Sequence, residues 1–149
     1  MKNIFTFAVV ALISMATLVG CTKSSTTTSY SMVAVIGGGT TTFNNSLLNV
    51  TYNAVTGVNT YVIQGLNNEK NYPYIYIYFP KKDTGNFTLG GYPSSAYAIY
   101  AVDTLTIKYS VSGTLRIDSL SPVVKGSYNF TCADGTTITA GVFRAKPLP

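Results

Sequence analysis

Histidine and tryptophan are absent from the 149 residues, and only two cysteines and five carboxylates occur. Without histidine there is no Ser-His or Cys-His nucleophile pair, no imidazole metal ligand and no side chain titrating near neutral pH. The carboxylates are Glu69, Asp83, Asp103, Asp118 and Asp134. They are widely spaced, and with no cysteine cluster beside them they offer no metal site. No G-x-S-x-G elbow is present, and no lysine has a serine three residues before it. Asp83-Thr84-Gly85 matches the tripeptide of a two-carboxylate protease, but no second copy exists, so a hairpin turn is expected there. Gly37-Gly38-Gly39-Thr40 lacks the spacing and the lysine of a phosphate loop. These absences predict a protein that is not an enzyme, with no cofactor and no metal.

Charge is also scarce, at 10% of residues, with a net of +5. The cations are dispersed, and Lys81-Lys82 is the one adjacent pair, so the dense basic stripe of a nucleic-acid binder is missing. What the chain does have begins at its N-terminus. Lys2 precedes an almost wholly apolar run, Ile4–Val19, shorter than the roughly 20 residues of a spanning helix. The run closes on Leu18-Val19-Gly20-Cys21, which resembles the bacterial lipobox. That resemblance implies a signal peptide over residues 1–20, cleavage before Cys21, and a Cys21 thiol carrying diacylglycerol. Acylation of the new amino terminus would add a further chain, and two or more chains give stable anchoring where one is marginal.

With Cys21 used by lipid, Cys132 has no disulfide partner. It lies in the alternation Tyr128, Phe130, Cys132 and is expected to be a small buried hydrophobe. Residues 21–31 are the lipidated cysteine and a Ser/Thr-rich stretch, Thr22–Ser31, which predicts a flexible tether. Thr22 stands where inner-membrane retention in enterobacterial lipoproteins uses aspartate, so the resemblance implies the outer membrane. Lys23 then precedes Ser24 and Ser25, without the acidic residues of many surface-exported lipoproteins. Both the periplasmic face and the cell surface stay open.

Residues 32–149 predict one all-β domain. No window shows helical periodicity; period-2 alternation rich in Val, Ile, Thr, Tyr and Phe recurs between Gly, Asn, Asp and Pro. Candidate strands are 32–36, 40–43, 47–52, 59–65, 74–79, 86–89, 96–102, 105–110, 113–119, 123–132 and 136–144. Ala133-Asp134-Gly135-Thr136 carries the strongest hairpin signal. About ten short strands joined by short turns predict an antiparallel β-sandwich, with an open β-barrel as the alternative.

The C-terminal half carries a recognisable pattern. Ser112-Gly113-Thr114-Leu115-Arg116-Ile117-Asp118 is followed by Gly126-Ser127-Tyr128-Asn129-Phe130-Thr131-Cys132 and by Gly141-Val142-Phe143. Upstream stands Gly85-Asn86-Phe87-Thr88-Leu89-Gly90-Gly91. Together these resemble a Bacteroidetes family of small outer-membrane lipoproteins of unknown function. The resemblance covers roughly residues 85–143 and implies fold and location, with no reaction or substrate. Gly126 and Gly141 are expected at bulges or close strand approaches, with Tyr128, Phe130 and Phe143 in the core.

The most distinctive stretch is Tyr72-Pro73-Tyr74-Ile75-Tyr76-Ile77-Tyr78-Phe79. In a strand, Ile75, Ile77 and Phe79 share one face while Tyr74, Tyr76 and Tyr78 share the other. Spaced roughly 6.8 Å apart, the three rings make a row about 14 Å long. Such a row can stack on sugars or meet an extended peptide, and it can equally serve only to stabilise a solvent-facing sheet. Tyr97 and Tyr100 lie on a neighbouring candidate strand and are positioned to extend it. Asp103-Thr104-Leu105 and Asp118-Ser119-Leu120 resemble the O-glycosylation acceptor of exported Bacteroidetes proteins, which marks Thr104 and Ser119 as modification candidates. The expectation is a lipid-anchored binding module that holds a glycan or an envelope or surface protein through Tyr74, Tyr76 and Tyr78. The alternative is a structural subunit of an envelope assembly.

Overall fold

A computed structural model describes residues 29–53, 58–67, 72–80 and 83–147. The expected signal peptide, Cys21 and most of the tether lie outside them. Ten strands form: β1 Ser31–Ile36, β2 Gly39–Phe43, β3 Asn45–Asn53, β4 Val58–Leu66, β5 Tyr74–Phe79, β6 Gly85–Leu89, β7 Tyr97–Ala101, β8 Ile107–Ser119, β9 Val124–Cys132 and β10 Thr137–Ala145. Among the described residues there is no helix. The predicted all-β class holds, and nearly every expected strand is met within two residues.

One pair of expectations merges. Residues 105–110 and 113–119 are expected as two strands, yet from Ile107 onward both belong to the 13-residue β8. Gly113 is there because β9 lies against it: a Cβ would press on the Asn129 carbonyl oxygen and on Phe130. The long β8 is what decides the architecture. Along one edge it pairs with β9; along the other it pairs first with β7 and then, beyond a bulge between Ser110 and Ser112, with β6. The strand order is β2-β1-β10-β9-β8-β7-β5-β4-β3, with β6 beside β8.

The two ends of that order almost meet. Asn44 alone separates β2 from β3. The Leu48 amide donates to the Lys146 carbonyl and the Lys146 amide to the Ser46 carbonyl, each at 2.9 Å. The result is one antiparallel sheet curled into a nearly closed barrel, the second of the two predicted architectures. Its interior is filled by Phe43, Phe79, Phe130, Met32, Leu48 and Ile77, all essentially inaccessible.

A reciprocal device holds β9 against β10. Gly126 faces Phe143 in the register, and Gly141 faces Tyr128. Each glycine lies under the partner's ring; a Cβ on Gly141 would sit 2.6 Å from the Tyr128 ring, and one on Gly126 2.6 Å from Phe143. An aromatic side chain laid across a strand glycine restores the apolar contact that the glycine lacks. Gly141 follows a bulge in which Ala140 takes a left-handed φ of 48°. The close approaches expected at Gly126 and Gly141 are therefore present.

A second device sits where β8 changes partner. The buried Ser110 hydroxyl accepts from the Ala98 amide at 2.8 Å and donates to the Gly90 carbonyl at 2.7 Å. One hydroxyl thus ties β7, β8 and the segment after β6.

Candidate functional site

In β5 the alternation works as predicted: Ile75, Ile77 and Phe79 are fully buried, while Tyr74, Tyr76 and Tyr78 are half-buried on the outer face. Tyr78 faces Tyr97 of β7 in the register, and their rings stack at 4.5 Å with planes 11° apart. Tyr74 and Tyr76 stack at 4.5 Å, and Tyr76 meets Tyr78 edge-on at 6.5 Å. Tyr72 adds to one end, 5.3 Å from Tyr74. Tyr92 adds to the other, 5.2 Å from Tyr97 and 5.4 Å from Tyr109.

The outcome differs from a simple row. The stacked pairs spend their ring faces on each other, and the open rings are Tyr92 and Tyr109, 62% and 40% exposed. Tyr100 does not join them. It stands an odd number of positions from Tyr97, so it points inward against Ile75's strand and is buried. Beneath the rings, Val62 is buried beside its register partner Tyr78, forming a thin apolar layer outside the barrel.

Burial raises the phenol pKa values of Tyr74, Tyr76 and Tyr97, and neighbouring phenols add to the effect. Tyr78 is pushed to about 12, first by burial and then by Tyr97, Tyr76, Tyr74 and Tyr109. At neutral pH the cluster is a set of uncharged hydroxyls. An unfolded tyrosine gives up its proton near pH 10, before a folded Tyr78 does. Stability from keeping Tyr78 neutral is therefore complete below about pH 10 and is lost as the pH rises toward about 12. A phenolate absorbance titration of the folded protein is expected to show a late component that Tyr78→Phe removes, with alkaline unfolding moved to higher pH. A single step near pH 10 would contradict the packed cluster.

Sequence reasoning missed the strip beside it. Leu105 is 93% exposed, and Ile107, Tyr109 and Val111 follow on the outward face of β8. Ordinary alternation would bury Ile107, Tyr109 and Val111 and expose Lys108 and Ser110. Here the segment is inverted, because the Ser110 hydroxyl has its two backbone partners inside. The period-2 signal was visible, but its sense was set by hydrogen bonds to Ala98 and Gly90, which are distant in sequence.

Leu105 is held out by its own loop. The Asp103 carboxylate accepts from the Leu105 amide at 2.8 Å, the Thr106 amide at 2.7 Å and the Thr106 hydroxyl at 3.1 Å. A shallow cleft of about 410 Å³ runs along Leu105–Tyr109 to Ala133 and Asp134. At its rim Lys108 and Asp134 pair at 2.7 Å, and Lys108 also donates to Thr136 at 2.9 Å. The Lys108 hydrogen bond, with help from the Thr136 amide and hydroxyl, lowers the Asp134 pKa to about 2.

No family model, curated protein or solved structure matches the chain.

The remaining sequence-derived candidates are scattered. Thr104 is exposed next to Leu105. Ser119 is half-buried at the end of β8, donating to the Ser121 carbonyl at 3.0 Å, while Asp118 pairs with Arg116 at 2.7 Å. Cys132 is buried, and burial pushes its thiol to about 11, so it is not a nucleophile at neutral pH. Among the described residues no three His, Cys, Asp or Glu side chains come together to hold a metal. Asp83 is exposed and accepts from the Thr84 amide at 2.9 Å, a turn contact.

Proposed function

We propose that the chain is a lipid-anchored outer-membrane lipoprotein, anchored at Cys21, whose barrel is a non-enzymatic interaction module that docks an envelope or surface protein. The observation that carries this reading is the continuous outer face of β5, β7 and β8. Its outward positions, Tyr74, Tyr76, Tyr78, Tyr97, Ile99, Ile107, Tyr109 and Val111, carry no charge. Tyrosine enrichment with depletion of charge is the composition of the buried centre of a protein interface. Contiguous exposed apolar surface of this kind marks interaction sites. The C-terminal resemblance to small Bacteroidetes lipoproteins and the lipobox support the location.

A glycan is the second reading. The open rings of Tyr92 and Tyr109, tilted at 42° and 5.4 Å apart, favour it because they form a cradle for a sugar face. The two readings separate experimentally. Tyr92→Ala combined with Leu105→Asp is expected to weaken retention of a crosslinked partner protein at least tenfold, the loss of a central interface residue. The fold should persist, since both side chains are exposed. Unchanged partner recovery, together with saturable binding to a neutral glycan that Tyr92→Ala abolishes, would overturn the protein reading in favour of the sugar.

A further inference from the structure

The described cations that lack a carboxylate partner collect at one end of the barrel. Lys125 of β9 and Arg144 of β10 are exposed and directly opposite each other in the register. Lys146 follows on the same outward alternation, beside Leu47 at the seam. Among the described residues none of the three is in an ion pair, whereas Lys108 and Arg116 each have one. Like charges facing each other across an antiparallel pair destabilise it, and among the described residues neither member of this pair is in an ion pair. An external anion would relieve it.

The position says which anion. Ser31, the first residue of β1, faces Arg144 in the register, so the chain enters the barrel in the middle of this basic end. Only nine residues separate it from Cys21. Even fully extended, the chain from Cys21 to Ser31 spans at most roughly 33–36 Å. The nine residues of β9 put this end roughly 27 Å from the Cys132 turn that borders the Leu105 cleft.

We propose that the Lys125/Arg144/Lys146 end is a docking surface for an anionic phospholipid bilayer. It seats the barrel with the Leu105 cleft, which lies at the other end of β9, turned away from the membrane. Lipid acyl chains and a basic patch act as two independent signals, the chains holding the protein at the bilayer and the patch choosing the surface it presents. The proposal takes from the lipid-anchor reading only which surface the entry end meets.

The barrel closes within residues 31–146, so the chain from residue 21 with Cys21→Ser carries the whole fold and no lipid. It is expected to co-sediment with phosphatidylglycerol vesicles, not with phosphatidylcholine vesicles, and to be released by about 0.5 M salt. At roughly fivefold per basic residue, replacing Lys125, Arg144 and Lys146 by Gln lowers the partition coefficient about a hundredfold. Lys108→Gln, the same change of charge at the far end, leaves it as in wild type. Equal binding to both vesicles, no binding to either, no effect of the triple substitution, or binding only to a soluble polyanion such as dextran sulfate each overturns the proposal. Salt release of the Cys21→Ser chain tests it even if the triple variant misfolds. The intact mass of the cell-made protein separately tests the anchor: a mass without acyl chains sinks the anchor and leaves the vesicle result standing.

Discussion

Gly126→Ala is expected to destabilise the barrel by about 3 kcal/mol or more, although it adds a single methyl group. The new Cβ would meet the Arg116 carbonyl oxygen of β8 and, at 2.6 Å, the Phe143 ring of β10. A ring can tilt, but a backbone oxygen in a paired strand cannot move without breaking the β8–β9 ladder. Phe143→Leu added to Gly126→Ala should therefore recover only part of the loss. Gly141→Ala is expected to behave alike, because its Cβ would meet both the Tyr128 ring and the Tyr128 carbonyl at 2.6 Å. That ring is fixed in turn, its hydroxyl reaching the Val33 carbonyl at 3.4 Å. Gly39→Ala is the control: its nearest neighbour would be 3.8 Å away. Urea midpoints decide the matter, with a fall of at least about 1 M expected for either β9–β10 glycine and almost none for Gly39. A Gly126→Ala protein within about 0.5 kcal/mol of wild type would remove the glycine-under-ring account.

Ser110→Ala carries the second large effect. It deletes one hydroxyl and leaves the buried Ala98 amide and the part-buried Gly90 carbonyl without that partner. A buried group left unpaired costs about 1–3 kcal/mol and the part-buried carbonyl less, so a loss of about 2–4 kcal/mol is expected. The loss should also be local. β7 is held to β8 through residues 107–109 only, and without the staple its edge next to β6 loosens. Hydrogen exchange at the Ala98 amide should accelerate well beyond that of Ile63 in β4. Uniform acceleration, or none, would mean that Ser110 is only a small core residue. The same variant bears on the proposed surface, because Ser110 pointing inward is what turns Ile107, Tyr109 and Val111 outward.

Much of this fold was legible in the sequence, because strand existence depends on local alternation and turn chemistry. Tyr74–Phe79 and Val124–Cys132 alternate without exception, and Asp134-Gly135 turns the chain between β9 and β10. The barrel was harder to see. It depends on one strand long enough to serve two sets of partners and on Asn44 bending β2 into β3, and neither leaves a local mark. Tyr74, Tyr76 and Tyr78 were found by periodicity, and Tyr97 by lying on a neighbouring strand. Tyr100 was misplaced by proximity, although its odd spacing from Tyr97 already assigned it to the interior. The Leu105–Val111 strip was hidden for the opposite reason. Its pattern is regular, and only the partners of Ser110 reveal that the apolar side faces out.

The pairing of β1 with β10 sets a timetable for the chain. A polypeptide delivered N-terminus first can form the β1–β2 hairpin early, but the other edge of β1 has no partner until Thr137–Ala145 arrives. The seam between Ser46 and Lys146 waits longer still, for the residue that follows β10. Contacts joining segments this far apart form slowly, since the intervening loop must close first. The barrel therefore cannot complete itself on a partly delivered chain, and a stalled or C-terminally clipped molecule would stay open, threadable and exposed to proteases.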